Sequence, residues 1–318
     1  MLQYLPDANC PCCKQPLTNH GFEPDSKGAA PTAANYEGCL RRCETCHVGL
    51  SNTRGAPTVL FKEPLENIPP EAREGADEVL RLALNERNRE SKRVKFGFHT
   101  SEDAVTWTVL TFLARSGQLN GAVAALAPAL HMQDAEPPTL LLWGVPYPWT
   151  KAGEGVRKRL VDISDRLGEE PVSRSEPDVV LQMPSGAVVV IEVKHRSAND
   201  VKSSDYPGWK KGYLQNTDAF VDPDGARASG LYELVRNWRF AAELAGSNPF
   251  YLVNLGPEAL RAPAQLPRLE KFEMSLRRSP AARFHSCAWH GLLSGIRVKP
   301  EWLVKFLMSR RLLEGVAA

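Results

Sequence analysis

The stretch Pro177-Asp178-Val179-Val180-Leu181-Gln182-Met183-Pro184-Ser185-Gly186-Ala187-Val188-Val189-Val190-Ile191-Glu192-Val193-Lys194 decides the fold. Two apolar runs, Val179 to Leu181 and Ala187 to Ile191, flank Pro184-Ser185-Gly186, which is the signature of a hairpin. Proline presets φ at the start of the loop and glycine takes the left-handed position at its end, so the turn centres on Ser185. This register sets Asp178 opposite Glu192 with Cβ atoms about 5 Å apart. Lys194, two residues on from Glu192, projects from the same face.

Like charges directly opposite one another destabilise a strand pair unless something neutralises them. A divalent cation does so. Mg²⁺ takes oxygen ligands, is held by one or two carboxylates and keeps waters that can act as nucleophiles. A neighbouring lysine suits a phosphate or an attacking water. The same residues also read more plainly, as three unrelated charges at a solvated strand end.

With these residues the chain resembles the PD-(D/E)xK phosphodiesterase superfamily, the fold of many restriction endonucleases and RecB-like nucleases. Asp178, Glu192 and Lys194 match its signature, and the likeness covers Phe96 to about Gly256. The resemblance implies a mixed α/β sheet flanked by helices and a nuclease that cuts DNA phosphodiesters with Mg²⁺ or Mn²⁺. Asp178, Glu192 and the carbonyl of Val193 would bind the ion, and Lys194 would orient or deprotonate the water. It also implies an additional acid from a helix before the sheet, for which Glu102 is the best match and Glu154 the reserve. Glu102 reads equally as a first-turn acid favouring the helix dipole. RecB-like members carry a glutamine on the helix after the lysine strand, which points to Gln215, otherwise a surface residue. Bacterial restriction or anti-phage defence, with a homodimer or defence-system partner proteins, extends the same likeness. Two other classes remain open: a silent nuclease-fold platform for DNA or protein, and a zinc-ordered adaptor whose partner does the chemistry.

Six of the seven cysteines lie within the first 46 residues. Cys10-Pro11-Cys12-Cys13 and Cys43-Glu44-Thr45-Cys46 each supply a C-x₂-C pair, and two such knuckles hold one structural Zn²⁺ through four thiolates. Cys10, Cys13, Cys43 and Cys46 are the expected ligands; Cys39 is the first substitute, and Cys12, His20 and His47 are spare. The polar segment between the pairs, with Pro16, Gly21, Pro24, Gly28, Pro31 and Gly38, has too few apolar residues for a core of its own. The arrangement resembles a zinc ribbon with a long insertion.

The 318 residues, 43% hydrophobic and 24% charged, suit a globular chain with room for more than one domain. The most apolar helix-like run, Gly121 to Leu130, is short and interrupted by Pro128, and the N-terminus lacks the order of a signal peptide, so no membrane partner and a cytoplasmic location are expected. The net charge of +2 hides an uneven distribution: from Arg268 to the end there are ten Lys/Arg against four Asp/Glu. A second basic cluster comprises Arg87, Arg89, Lys92, Arg93 and Lys95. Such clusters suit a polyanion or simply a solvated helix face.

The expected organisation is a zinc-ribbon-like module over residues 1–55, a linker and connecting helix over 56–95, the nuclease core over 96–260 and a basic helical extension over 261–318. Ser101 is the expected N-cap of a helix ended by Gly117. Thr139 to Trp143 and Pro249 to Leu255 read as strands, and Trp209 to Phe220, Leu231 to Ala245 and Glu301 to Leu313 as helices. His195 faces away from Lys194 and reads as structural. His285 and His290 lack a fourth ligand for a second metal site. No G-x-S-x-G elbow or Walker A sequence points to a hydrolase or ATPase of those classes.

Overall fold

In a computed structural model, residues 9–20, 35–52, 58–128, 130, 136–279 and 281–313 are described. The Gly- and Pro-bearing stretch with Gly21, Pro24, Gly28 and Pro31 lies outside them, as do residues 53–57, where the expected module meets the expected linker.

Near the N-terminus four short strands, β1 (Thr18–Asn19), β2 (Arg41–Cys43), β3 (Val48–Leu50) and β4 (Val59–Phe61), form an antiparallel sheet in that order. β4 lies inside the segment read as a linker. It ties the small sheet to the rest of the chain: Leu60 bridges Phe98, Phe61 N–H donates to Gly97 O at 3.0 Å, and His99 N–H donates to Val59 O at 2.8 Å. The connecting region is broken into α1 (Ala76–Leu82) and α2 (Arg89–Phe96), with short 3₁₀ turns around them.

α3 (Glu102–Arg115) starts where expected, because Ser101 Oγ accepts the Ala104 N–H at 3.2 Å. α4 (Leu119–Leu126) follows Gly117, whose φ is +66°. β5 (Thr139–Leu142) and β6 (Val145–Tyr147) are joined by Trp143 and Gly144, both left-handed. After α5 (Lys151–Arg166) comes the hairpin of β7 (Val179–Gln182) and β8 (Val188–Val193). Its register pairs Val179 with Ile191 and Val180 with Val190, and Gly186 has φ +88°. Gly186 N–H donates to Met183 O, and Met183 N–H to Ala187 O, each at 2.9 Å, closing the three-residue loop around Ser185.

The expected helix from Trp209 to Phe220 is not formed. Pro207, Gly208 and Gly212 break that segment into 3₁₀ turns at Pro207–Lys210 and Gly212–Leu214. Then follow α6 (Pro223–Ser229), α7 (Tyr232–Ala245), β9 (Phe250–Gly256), α8 (Leu266–Ser275), β10 (Ala282–Ala288), α9 (Trp289–Ser294) and α10 (Glu301–Ser309). The segment after residue 260 is therefore not purely helical, since β10 is the edge strand of the main sheet.

That sheet has the order β10-β9-β8-β7-β5-β6. β8 and β9 pair in parallel, as do β9 and β10, and the others are antiparallel. Every residue of β8 is buried, as expected for a strand covered on both faces. Val189, Ile191 and Val193 face a core with α1 to α4, α9 and α10; Val188 and Val190 face a second core with α5 to α8. The result is a mixed α/β sheet between two helical layers.

Candidate active site and metal centre

Glu192 and Lys194 extend the face of β8 that carries Val188 and Val190, so at the strand's end two charged side chains emerge beneath α7. Glu192 and Lys194 are only 3% and 7% exposed. Lys194 Nζ donates to Glu192 Oε1 at 2.6 Å and to Glu233 Oε2, on α7, at 2.9 Å. Asn237, one turn further along α7, donates to Glu192 Oε2 at 2.7 Å, and Arg236 Nη2 lies 3.9 Å from that oxygen. Asp178, just before β7, accepts the Val193 N–H through Oδ2 at 2.8 Å. Val193 thus supplies a donor that fixes Asp178.

Asp178, Glu192, Lys194, Glu233 and Arg236 line one polar cleft of about 390 Å³, with Lys92, Glu176 and Lys211 on its other walls. Burial and the charge of Glu192 raise the Asp178 carboxyl well above the ordinary carboxylate range, and Lys194 only partly offsets them. Burial likewise raises Glu192, against the pull of Lys194. For Lys194 burial works against the charge, yet Glu192, Glu233 and Asp178 outweigh it and raise its pKa. Glu233 is lowered, because Lys194 and Arg236 overcome the cost of its burial. The cleft therefore holds a firmly protonated amine beside two carboxyls that burial pushes toward their neutral forms.

Glu102 lines the same cleft from the first turn of α3, where Oε1 accepts the Ser197 hydroxyl at 2.5 Å. Its neighbour Asp103 is the α3 acid whose charge raises Asp178. Asp103 shares Lys92 with Glu176: Lys92 Nζ lies 3.4 Å from Asp103 Oδ1, 3.0 Å from Glu176 Oε1 and 4.8 Å from the centre of the Trp143 ring. Glu154 is placed elsewhere, accepting the Trp149 indole N–H at 2.5 Å. Gln215 is exposed and lines a different cavity; its carbonyl accepts from Arg239 at 3.1 Å.

The side chains reaching Glu192 and Lys194 from α7 carry no local signal in the sequence. Glu176 does, since it directly precedes Pro177-Asp178. His195, on the opposite face, is 3% exposed and lies between Thr100 O at 3.4 Å and Arg310 O at 3.1 Å. The basic clusters are partly consumed inside the fold. Arg93 and Arg89 pair with Asp77 and Glu86, and Arg310 is buried, donating to His99 O and to Asn67 O and Oδ1.

In the small sheet, one sulfur from each of Cys10, Cys13, Cys43 and Cys46 lies within 4.8 Å of every other, close enough to hold one metal ion such as zinc. The two knuckles share a backbone device: Lys14 and His47, each directly after the second cysteine of its pair, have φ of +65° and +51°. Cys46 N–H also donates to Cys43 Sγ at 3.4 Å. Cys39 is outside the group. It is buried against Gly49, where a Cβ would come 2.6 Å from its sulfur, and burial raises its thiol to about 11. His20 lies 2.9 Å from Glu44.

No family model matches the chain, nor does any curated protein or solved structure. Among the described residues no helix is long and apolar enough to cross a membrane.

Proposed function

We propose that the chain is a Mg²⁺-dependent nuclease that hydrolyses DNA phosphodiester bonds at the cleft containing Asp178, Glu192 and Lys194. The observation that carries this reading is Asp178: a carboxylate held by the Val193 N–H and pushed up by burial and by Glu192, a cost that a bound cation would offset. Asp178, Glu192 and the Val193 carbonyl are the groups that would hold the ion. A divalent cation supplies a Lewis acid for the scissile phosphate and lowers the pKa of a water.

The chain's own residues do the rest. Asn237 fixes the Glu192 carboxylate from α7. Lys194, bonded to two carboxylates, presents a positive charge to an incoming phosphate; it stabilises charge and does not remove a proton from water. Glu102, which lines the cleft, would be the additional acid. Gln215 lines a different cavity from Asp178, Glu192 and Lys194. The four thiolates leave no open position on their metal, so the small sheet would have a structural role. Endonucleolytic action in bacterial restriction or anti-phage defence rests on the resemblance alone.

A second reading is a platform of the same fold that binds DNA without cutting it. The 2.6 Å contact between Lys194 and Glu192 Oε1 favours it, because the amine occupies an oxygen that a cation would use. Incubation with supercoiled, linear and single-stranded DNA, with Mg²⁺ added or withheld, separates the two. The nuclease reading expects Mg²⁺-dependent nicks or breaks that disappear in Asp178→Ala; cleavage that persists in Asp178→Ala overturns the site.

A further inference from the structure

Next to the acidic cleft is a second cavity of about 470 Å³, lined by Ser204, Asp205, Tyr206, Trp209, Lys210, Gln215 and Arg227. Tyr206 lines both cavities. The ridge between them is the 3₁₀ turn Pro207–Lys210, and at its end consecutive lysines divide: Lys211 lines the cleft and Lys210 the second cavity. The ridge is firmly seated. Trp209 is 5% exposed, its indole N–H donates to Ser203 O at 2.9 Å, and Tyr206 and Trp209 both pack edge-on against Tyr232 of α7.

The second cavity differs from the first in its charge. Lys210 and Arg227 face Asp205 alone, and among the described residues neither cation has a carboxylate within salt-bridge distance. Arg227 Nε is enclosed and has no acceptor, although a guanidinium N–H taken out of water needs one. An anion in this cavity would meet two cations against one carboxylate among the lining residues.

We propose that the second cavity binds the DNA strand flanking the scissile bond, with Lys210 and Arg227 on one backbone phosphate while Lys211 faces the phosphate in the cleft. This rests on the nuclease reading for the position of the scissile bond, but the binding itself is measurable without it. The arrangement separates two tasks. The carboxylates of the cleft attract a cation, and the ridge holds the polyanion beside them. Gln215, which lines the second cavity, is placed to contact a sugar or base edge there.

The test is fluorescence anisotropy of a labelled oligonucleotide, single- and double-stranded, on the full chain with Ca²⁺ in place of Mg²⁺ and across a salt series. Wild type is compared with Lys210→Ala/Arg227→Ala and with Lys210→Arg. The double variant is expected to bind about tenfold more weakly, with a log–log salt slope shallower by about one for each phosphate that is no longer neutralised. Lys210→Arg should keep wild-type affinity. Wild-type affinity and slope in the double variant overturn the proposal, as does a wild type that binds neither form of DNA. If wild type cuts DNA with Mg²⁺ while the double variant binds normally, the track fails and the nuclease stands. If the double variant loses affinity but wild type cuts nothing, the nuclease reading fails and the track stands.

Discussion

Lys194 and Glu233, thirty-nine residues apart, meet at 2.9 Å and close a bridge from the central strand to α7, while Glu192 takes the other side of the same amine at 2.6 Å. Removing the amine would leave buried Glu192 and part-exposed Glu233 with only the Arg236 guanidinium, 3.9 Å from Glu192, to offset their charge. Lys194→Met is therefore expected to destabilise the chain by about 3–5 kcal/mol, the range for breaking a buried pair, and to abolish cleavage. Adding Glu233→Gln removes one of the stranded charges. The double variant should recover part of the stability in urea and none of the activity. Additive losses in this cycle would show that the two residues are not coupled.

Asp178 gives a prediction with the opposite sign. Burial and Glu192 raise its carboxyl, so the charged form is penalised in the folded chain, and its contribution to stability is present in acid and lost as pH rises through the raised value. At neutral pH without added Mg²⁺, Asp178→Asn should melt higher than wild type, because its amide oxygen can still accept the Val193 N–H. Each kcal/mol regained raises Tm by about 2–4 °C in a domain of this size. Mg²⁺ should raise the wild-type Tm and leave the variant unmoved. Equal Mg²⁺ responses would argue that Asp178 does not meet the ion.

Much of this site is legible in the sequence because its signals are local. Pro184-Ser185-Gly186 fixes a turn, the turn fixes the register of Val179 with Ile191, and the alternation of a strand then carries Glu192 and Lys194 to one face. The paired C-x₂-C spacings are local in the same sense. What the sequence hides is tertiary. Nothing near Tyr232 tells that Glu233 and Asn237 of α7 arrive over β8. The segment around Gln215 misleads because its apolar residues suggest a helix, whereas Pro207, Gly208 and Gly212 permit only short turns. β10 escapes detection because Ala282 to Ala288 lacks a clear apolar–polar alternation, and an edge strand with few apolar residues gives a weak signal.

The cysteine cluster should prove separable from the main sheet. Cys43→Ser is expected to lower bound zinc from about one ion per chain to none, measured by atomic emission. Because β4 pairs with the Gly97-to-His99 segment, hydrogen exchange should quicken over the small sheet and reach His99. The amides of Val188 to Val193, buried between two helical layers, should stay protected. Full zinc retention in Cys43→Ser would remove Cys43 from the ligand set.

His99 sets the behaviour in acid. Burial first, and then the charges of Arg310, Arg196 and His195, lower its imidazole from the ordinary 6.5 to about 3. The unfolded chain therefore takes up a proton at His99 at a pH where the folded chain does not. Stability from this group is complete above about 6.5 and declines as pH falls from there toward 3, with a limiting slope of about 1.4 kcal/mol per pH unit. His99→Gln removes the titrating ring but keeps the backbone N–H that donates to Val59 O. Urea melts of both proteins from pH 7 to pH 4 check this: the wild-type curve should fall more steeply than that of the variant, and parallel curves would mean that His99 is protonated in the folded chain.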